Sequence, residues 1–271
     1  MMIRYWLHDV YFVCRRDMKR FYSQKSRIIM SLLQPLVWLV FMGNVMSGMT
    51  RNPHSAAMLG VDRYLDFMTP GIMIMTALFS GTFCGFSLVW DRRIGFLNKM
   101  LVAPLNRSAI PAGKMLAVAL QIMLQVCIIG IIALCLGVRF TAGFSGFLLI
   151  VSIAGLFGFA MAGISLSIAI MFKSLEGLHP ILNFLTMPLM FTSNAIFPTA
   201  AMPGWMQVIS NWNPLTHAVS PMRALVVDGW VVEKAASGLA VTLLFAVVMV
   251  VVATMQFLLV VMGILREEEL C

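Results

Sequence analysis

The sequence contains little charge, and acidic residues are especially scarce. Charged residues make up 11% of its 271 residues, with 11 Asp and Glu against 19 Lys and Arg. Apolar residues make up 61%, and the mean hydropathy is +0.93. This balance excludes a water-soluble globular protein, because a soluble fold needs far more polar surface than such a chain supplies.

The residue groupings that support catalysis or metal binding are also missing. The five cysteines and four histidines are dispersed, with no CxxC pair and no histidine at ligand spacing from a cysteine. No nucleophile, base and orienting group form a recognisable motif. We therefore predict no catalytic residue, no metal site and no disulfide, and a lipid-modifying membrane enzyme is disfavoured.

A phosphate-binding loop of the form GxxxxGK[ST] is absent as well. The only Gly-Lys pair, Gly113-Lys114, is followed by Met115 and has Ser108 where the first glycine should be. We therefore expect this chain to bind no ATP by that device and no cofactor of its own. Few acids lie inside the apolar stretches, which argues against a proton- or ion-coupled carrier, because such carriers usually keep a buried carboxylate.

What the chain has instead is six apolar stretches, each long enough for the roughly 20 residues that a membrane-spanning helix needs. They cover residues 28–49, 66–90, 115–137, 144–172, 178–197 and 239–264. The fold class predicted is an all-α membrane protein with six transmembrane helices, in a single domain over residues 1–271. Its parts are an interfacial helix (1–27), spans one to five (28–197), short outer helices (198–237), span six (238–264) and a tail (265–271).

Lysine and arginine fall mainly on one side of these spans. Fourteen would lie on one side: Arg4, Arg15, Arg16, Lys19, Arg20, Lys25, Arg27, Arg92, Arg93, Lys99, Arg107, Lys114, Lys173 and Arg266. Five would lie on the other: Arg51, Arg63, Arg139, Arg223 and Lys234. Because basic loops stay in the cytoplasm, both termini are predicted to be cytoplasmic. The net charge of +8 fits contact with anionic membrane lipid, and nucleic acid is not needed to explain it.

The N-terminal segment has a pattern of its own. Leu7, Tyr11, Cys14, Met18 and Phe21 recur at steps of four, three, four and three residues, which is typical of one face of a helix. The segment is also too long and too basic to be the start of a cleavable signal peptide. It is either a helix lying in the membrane interface or a positively charged anchor that only sets topology.

Between the second and third apolar stretches lies a basic, amphipathic segment, residues 90–107, which we call the basic loop. As a helix it would align Ile94, Leu97, Leu101 and Leu105 on one stripe, and Pro104 would limit its length. The residues alone leave two interpretations open. The loop either docks on a cytoplasmic partner or lies on the lipid surface.

The polar residues inside the spans are uncharged: Gln34, Asn44, Gln121, Gln125, Asn183, Asn194 and Gln256. Their commonest role is to join helices by hydrogen bonds, and the alternative is a polar lining of a substrate path. Ala154, Gly158 and Ala162 repeat at steps of four residues. We interpret this ladder as a packing surface for close helix approach.

Residues 198–230 do not continue the pattern of simple spans. Prolines interrupt the segment, and Asn213-Pro214 supplies an N-cap followed by proline in the first helical turn. Two short helices are predicted, at residues 204–212 and 214–228. Neither can cross a bilayer, so we expect them to close the outer end of a cavity.

Taken together, these motifs resemble the permease subunits of ABC-2 type exporters, the group that includes daunorubicin-resistance, nodulation-factor and polysaccharide export permeases. The resemblance is carried by residues 90–97 with Ala103-Pro104 and Gly113-Lys114, by residues 196–198 and 202–205, and by residues 213–216 with Arg223. It covers nearly the whole chain.

The resemblance implies a half-transporter in a bacterial or archaeal inner membrane that pairs with a second copy of itself and two copies of a cytoplasmic ABC ATPase. ATP and Mg would be bound by that ATPase. The basic loop would be the coupling helix, formed by Asp91, Arg92, Arg93, Ile94, Gly95, Phe96, Leu97, Leu101 and Pro104. In it, the charged residues at 91–93 would set the docking orientation, and Ile94, Phe96 and Leu97 would fill the ATPase groove.

An outer gate would be formed by Asn194, Phe197, Pro198, Trp205, Asn213 and Pro214. The implied function is ATP-driven outward movement of an amphipathic or lipid-linked substrate. The alternative is an ATP-independent channel or membrane scaffold whose basic loop binds a partner or lipid.

Overall fold

The computed structural model describes residues 2–45, 63–172, 174–230 and 232–268, and the regular structure in these ranges is helical. The helices are α1 (Met2–Ser23), α2 (Lys25–Val45), α3 (Tyr64–Arg93), α4 (Phe96–Val102), α5 (Ala109–Cys135), α6 (Gly143–Ala169), α7 (Leu175–Phe191), α8 (Gly204–Trp212), α9 (Pro214–Val227) and α10 (Val232–Glu268). Arg51, Lys173 and the end of the first predicted span lie outside the described residues. The prediction of an all-α membrane protein is confirmed.

Among the described residues, four helices are long and apolar enough to cross a membrane. They are α3, α5, α6 and the Gly238–Val260 part of α10. The other two predicted spans correspond to shorter apolar helices. In α2 the apolar part is Ile28–Phe41, and α7 has 17 residues, which at 1.5 Å per residue gives about 25 Å against a hydrocarbon core of about 30 Å.

The predicted fifth span is therefore too long at its outer end. It was expected to continue to Phe197, but α7 ends at Phe191. Residues 192–198 form an irregular segment, which we call the outer loop. Pro188 lies inside the last turn of α7 without ending it. The chain leaves the helix after Phe191, where the polar groups of Asn194 bond to Thr216 and Ser220 of α9.

The core is built on α3 and α6, which pack closely through small residues. A Cβ at Gly81 would lie 2.7 Å from the Gly158 carbonyl oxygen, and one at Gly85 would lie 2.4 Å from the Ser165 hydroxyl. Ala154, Gly158 and Ala162 are all buried, so the ladder read from the sequence is a packing surface, as predicted. By contrast, α10 exposes a broad apolar face that includes Leu244 and Val251, which suits contact with lipid.

The two short outer helices form as predicted, within one residue of the expected bounds. The Asn213 side chain accepts a hydrogen bond of 2.9 Å from the Leu215 amide, which confirms the N-cap, and Pro214 occupies the first helical turn. The basic loop lies at the C-terminal end of α3. At the N-terminal end of α3, Arg223 of α9 donates a hydrogen bond to the carbonyl oxygen of Phe67. The two candidate functional regions therefore lie at opposite ends of the molecule.

Candidate functional site

The basic loop is not one helix but two helical segments joined by a turn. Asp91, Arg92 and Arg93 are the last residues of α3, and the short helix α4 begins at Phe96. Gly95, which joins them, has a φ of 70°, a conformation that favours glycine because it lacks a Cβ. The single stripe predicted from Ile94 to Leu105 is therefore wrong, since the turn changes the direction of the chain.

The end of α4 agrees with the sequence. The helix stops at Val102, and Ala103 has extended backbone angles, φ −67° and ψ 150°. The ring of Pro104 disfavours helical angles in the residue before it, so the expected limit at Pro104 is confirmed.

Burial shows which residues of the loop are available to a partner. Leu97 is only 3% exposed, and Phe96 and Leu101 are half-buried against the core. Ile94 is 57% exposed and Val102 is 88% exposed. The expectation that Leu97 fills a partner's groove is wrong, because its side chain packs inwards. For Phe96, which is half-buried, the docking role stays a prediction.

The outward surface of the loop combines these two apolar side chains with polar and basic ones. The exposed residues are Trp90, Arg93, Ile94, Asn98, Lys99, Val102, Pro104 and Asn106. The described part of the loop presents no acidic side chain to solvent, because Asp91 is buried. An apolar groove with an acidic rim would therefore complement this surface.

Asp91 is the centre of a buried ionic cluster. This differs from the expectation that its side chain helps to orient a docking partner, because it does not face solvent. Its carboxylate lies 2.6 Å from Lys114 Nζ, 2.8 Å from Arg16 Nη2 and 3.0 Å from Arg20 Nη1. Asp17 adds a second carboxylate, paired with Arg16 and 3.5 Å from Lys114. Three cations and two carboxylates leave one net positive charge. The two most buried members, Lys114 and Asp91, compensate each other directly, while Arg16 and Arg20 keep about a third of their side chains exposed.

The electrostatics of the cluster favour the charged forms. Burial lowers the pKa of the Arg16 guanidinium, but the neighbouring Asp17 and Asp91 carboxylates raise it by more, so its pKa lies above the ordinary value. Arg16 also stacks over the Phe96 ring, with 4.4 Å from its Cζ to the ring centroid. This one side chain therefore joins α1, the end of α3 and the short helix α4.

α1 holds the far side of the loop too. The Asp9 carboxylate accepts hydrogen bonds of 3.0 Å from both the backbone and side-chain nitrogens of Asn106. Trp6 Nε1 donates to Ser108 Oγ at 3.0 Å. The loop between α3 and α5 is thus fixed at both ends by the N-terminal helix.

The buried face of α1 differs from the predicted stripe. Val10, Val13, Cys14 and Phe21 are buried, but Leu7 and Tyr11 are about half exposed, at 56% and 57%. The prediction is right for Cys14 and Phe21 and wrong for Leu7 and Tyr11. The buried face is shifted because Asp9, Arg16, Asp17 and Arg20 bond to the loop and α5.

The two remaining charged residues predicted for docking have different environments. Arg92 Nη1 donates to the carbonyl oxygens of Ile170 and Phe172, at 3.1 Å each, at the C-terminal end of α6. A cation there is favourable, because the carbonyls at a helix C-terminus are unpaired and partly negative. Arg93 is exposed and is the one of the three charged residues free to meet a partner.

A cavity of about 260 Å³ lies between α2, α3 and α7. Its lining is Ser31, Gln34, Pro35, Trp38, Met68, Gly71, Ile72, Met75, Thr76, Phe79, Ser80, Phe83, Met190, Phe191, Ala195 and Ile196. No charged side chain belongs to this lining. Trp38, Phe83 and Phe191 are each about half exposed, so the cavity opens through an apolar edge to the outside of the chain.

Beneath the cavity, Gln125 joins three helices. Its side chain accepts from Ser80 Oγ and donates to Ser31 Oγ, at 2.9 Å in each case. This buried amide confirms the helix-joining role expected for it. Gln121, one turn earlier, lines a separate space of about 30 Å³ beside Asp17 and Arg20.

At the outer end, the structure brings together part of the predicted gate. The Asn213 side chain donates to the Leu189 carbonyl oxygen at 2.8 Å and to Thr192 Oγ1 at 2.9 Å. Asn194 Nδ2 donates to Ser220 Oγ at 2.9 Å. Asn194 thus joins the outer loop to α9, and Asn213, which precedes Pro214 at the start of α9, joins α9 to the end of α7 and to the outer loop.

The other predicted gate residues do not join this network. Phe197 and Trp205 are 52% and 66% exposed, and Pro198 precedes the 3-10 turn Thr199–Ala201. Sequence reasoning missed that Thr216, Ser220 and Arg223 contact the outer loop. Their spacing of four and three residues places them on one face of α9 and could have identified them.

Comparison with known proteins finds one matching family model and several similar proteins. A family model described as ABC-2 type transporter matches residues 8–227. A putative transport permease of Cyanophora paradoxa is 33% identical over 216 residues, covering 76% of this chain and 71% of the relative.

Two further relatives have more specific names. A daunorubicin resistance ABC transporter permease protein of Streptomyces coeruleorubidus is 26% identical over 210 residues, covering 78% of this chain and 72% of the relative. Nodulation protein J of Rhizobium leguminosarum bv. trifolii is 24% identical over 221 residues, covering 79% and 81%.

Proposed function

Since the chain belongs to the ABC-2 type transporter family, we propose that it is the membrane subunit of an ATP-driven exporter and works with a separate cytoplasmic ABC ATPase. The observation that carries this proposal is the basic loop. It presents Ile94 and Val102 to the outside, and the buried Asp91 cluster ties it to α1, α3 and α5. A loop that only rested on lipid would not require this rigid internal support.

The ionic cluster would transmit force from the loop to the spans. Two ATPase copies would bind ATP and Mg and close on each other, and each would move the basic loop that it holds. Asp91 lies at the end of α3 and Lys114 lies in the first turns of α5, so a displaced loop must move both helices or break a buried ion pair. Breaking such a pair is costly, because an uncompensated charge is left away from water.

We further propose that two copies of the chain pair across the open edge of the cavity. Exposed apolar side chains surround this edge, including Trp38 and Phe83, and Phe184 and Phe191 on α7. A second copy would cover this surface and enclose two facing cavities on a shared central path. The first, second and fifth predicted spans would then line that path, while α10 would face lipid.

The cavity suits an amphipathic or lipid-linked substrate. Aromatic and methionine side chains dominate its lining, and a row of uncharged polar groups that includes Gln34, Thr76 and Ser80 supplies hydrogen bonds. A polyanion would find no cation among the lining residues. One relative is named for daunorubicin resistance, which agrees with a largely apolar cargo.

The orientation proposed places both termini and the basic loop in the cytoplasm of a bacterium or archaeon, and the outer helices α8 and α9 on the far side of the inner membrane. Transport would then run outwards. The distribution of Lys and Arg along the sequence supports this orientation.

The test is to co-express the chain with the ABC ATPase encoded nearest to its gene, purify the complex and reconstitute it in liposomes. We expect a complex whose ATP hydrolysis rises with an amphipathic substrate and which moves that substrate across the membrane only with ATP and Mg. Substrate flux that is independent of ATP would instead support a channel. Purification of the chain with bound lipid but without the ATPase would support a membrane scaffold.

A further inference from the structure

Arg223, on α9, is a cation that bonds to backbone carbonyls at the outer end of the cavity. Its Nη2 donates to the Asn194 carbonyl oxygen at 2.8 Å and its Nε donates to the Phe67 carbonyl oxygen at 3.3 Å. Its Cζ lies 3.7 Å from the centroid of the Phe67 ring. None of the ion pairs found among the described residues includes it.

The two carbonyls belong to two walls of the cavity that meet at this end. Phe67 lies in the first turns of α3, and Asn194 lies in the outer loop. Beside them, Gly71 and Ala195 line the cavity itself. A Cβ at Gly71 would lie only 2.1 Å from the Ala195 carbonyl oxygen, so the outer loop rests directly on α3.

The guanidinium suits this position for a physical reason. Its donors form a planar fork that can reach two separate oxygens while its face stacks on an aromatic ring. Hydrogen bonds from a cation are stronger than those between neutral groups. Arg223 joins segments that are 156 and 29 residues away in the sequence, so its bonds hold tertiary structure rather than its own helix.

One buried hydrogen-bond acceptor in the outer loop has no donor among the described residues. Asn194 Nδ2 donates to Ser220 Oγ, and its backbone nitrogen donates to Thr216 Oγ1 at 3.4 Å. Its Oδ1, however, is buried and has no donor among the residues that the structure describes. An unpaired buried acceptor raises the free energy of the loop when it lies against α3. This cost favours a second position of the loop, so the hydrogen bonds from Arg223 are needed to hold it against α3.

We infer that Arg223 is a positioning residue that holds the outer loop against α3 and so keeps the outer end of the cavity closed. Opening towards the outer side requires its hydrogen bonds to the Asn194 and Phe67 carbonyls to break. The meaning of this step for export rests on the proposed function, but the geometry can be tested without any transport.

The experiment measures access to the cavity from outside. A cysteine replaces Ile196, a cavity-lining residue that is 9% exposed, in a background whose native cysteines are changed to alanine. Intact cells are treated with a membrane-impermeant thiol reagent, and the labelling rate is measured. We expect Arg223→Met to raise this rate by roughly tenfold, and Arg223→Lys by less, because loss of charge-assisted hydrogen bonds shifts the loop's equilibrium by about that factor.

Arg63 provides the matched control. It also donates only to backbone carbonyls in the described structure, those of Gly137 and Leu136 at 2.8 and 3.3 Å, but it does not touch the outer loop. Arg63→Met should leave the labelling rate of the Ile196→Cys chain unchanged. An equal increase in both arginine variants would show general loosening and would overturn the assignment.

A second variant covers the case in which Arg223→Met fails to insert. Gly71→Ala keeps the arginine and forces the outer loop away from α3, so it should also speed labelling. Unchanged labelling in Gly71→Ala and Arg223→Lys would overturn the inference, whatever the protein transports. Absence of ATP-dependent export by the parent chain, with faster labelling in the variants, would contradict the proposed function and leave the inference intact.

Discussion

Lys114 Nζ lies 2.6 Å from the Asp91 carboxylate, and both side chains are at least 98% buried. The pair joins the end of α3 to the first turns of α5, on either side of the basic loop. Arg16 and Arg20 reach the same carboxylate from α1. The three elements that surround the loop are therefore connected through one side chain.

The first prediction concerns this pair. Asp91→Asn removes the nearer of the two carboxylates that compensate Lys114, and breaking a buried pair in this way costs about 3–5 kcal/mol. We expect a lower thermal transition in detergent and faster proteolysis of α1. Adding Lys114→Met to Asp91→Asn should recover part of the loss, because the buried uncompensated ammonium is removed. Equal stability of the single variant and the parent would contradict the role of the cluster.

The second prediction concerns the turn at Gly95. Its positive φ makes an alanine there costly by about 1–2 kcal/mol, although no neighbouring atom lies within 4 Å of the new Cβ. Gly204 has equally open surroundings and no positive φ, so Gly204→Ala is the matched control. We expect Gly95→Ala to weaken substrate-stimulated ATP hydrolysis in the reconstituted complex and Gly204→Ala to have no effect. Equal activities would show that the geometry of the turn is unimportant.

The third prediction concerns topology. Asn98 and Asn211 are both exposed and lie at opposite ends of the molecule. In a background without native cysteines, Asn211→Cys should react with an impermeant thiol reagent added to intact cells. Asn98→Cys should react only after the membrane is permeabilised. Labelling of both positions in intact cells would contradict the cytoplasmic placement of the basic loop.

The fourth prediction concerns pairing of two copies. Phe184 is 81% exposed and lies two turns before the cavity-lining Phe191, on the same side of α7. Phe184→Cys should form a cross-linked dimer in native membranes with a short bifunctional thiol reagent. Leu244, 64% exposed on α10, gives the control variant Leu244→Cys, which should form no cross-linked dimer because the proposed interface does not include α10. The reverse result would place the dimer interface on α10.

The fold class and the ends of two helices could be predicted from the sequence, because they depend on composition and on neighbouring residues. The apolar composition predicted an all-α membrane protein, the Asn213-Pro214 pair predicted the start of α9, and Pro104 predicted the end of α4. Each of these depends on backbone preferences or on contacts within one turn, so the residues themselves contain the necessary information.

Orientation and pairing could not be read in the same way. The inward position of Leu97 depends on how the loop packs on the core after the turn at Gly95. The partners of Asp91 lie 23, 71 and 75 residues away, and nothing in the sequence distinguishes them from the other cations. The early end of α7 depends likewise on bonds between the outer loop and α9.

Docking of the exposed side of the basic loop on an ATPase can be tested by the same substitution at two positions. Val102 is 88% exposed at the end of α4, and Val208 is 61% exposed on α8 at the opposite end of the molecule. Val102→Asp places a carboxylate where an apolar contact is expected, which leaves that charge desolvated or breaks the contact, whereas Val208→Asp changes the outer surface. We measure the amount of ATPase that co-purifies with each variant at equal membrane insertion. We expect loss of the ATPase with Val102→Asp and normal recovery with Val208→Asp. Full recovery of the ATPase with both variants would show that this surface does not dock on it.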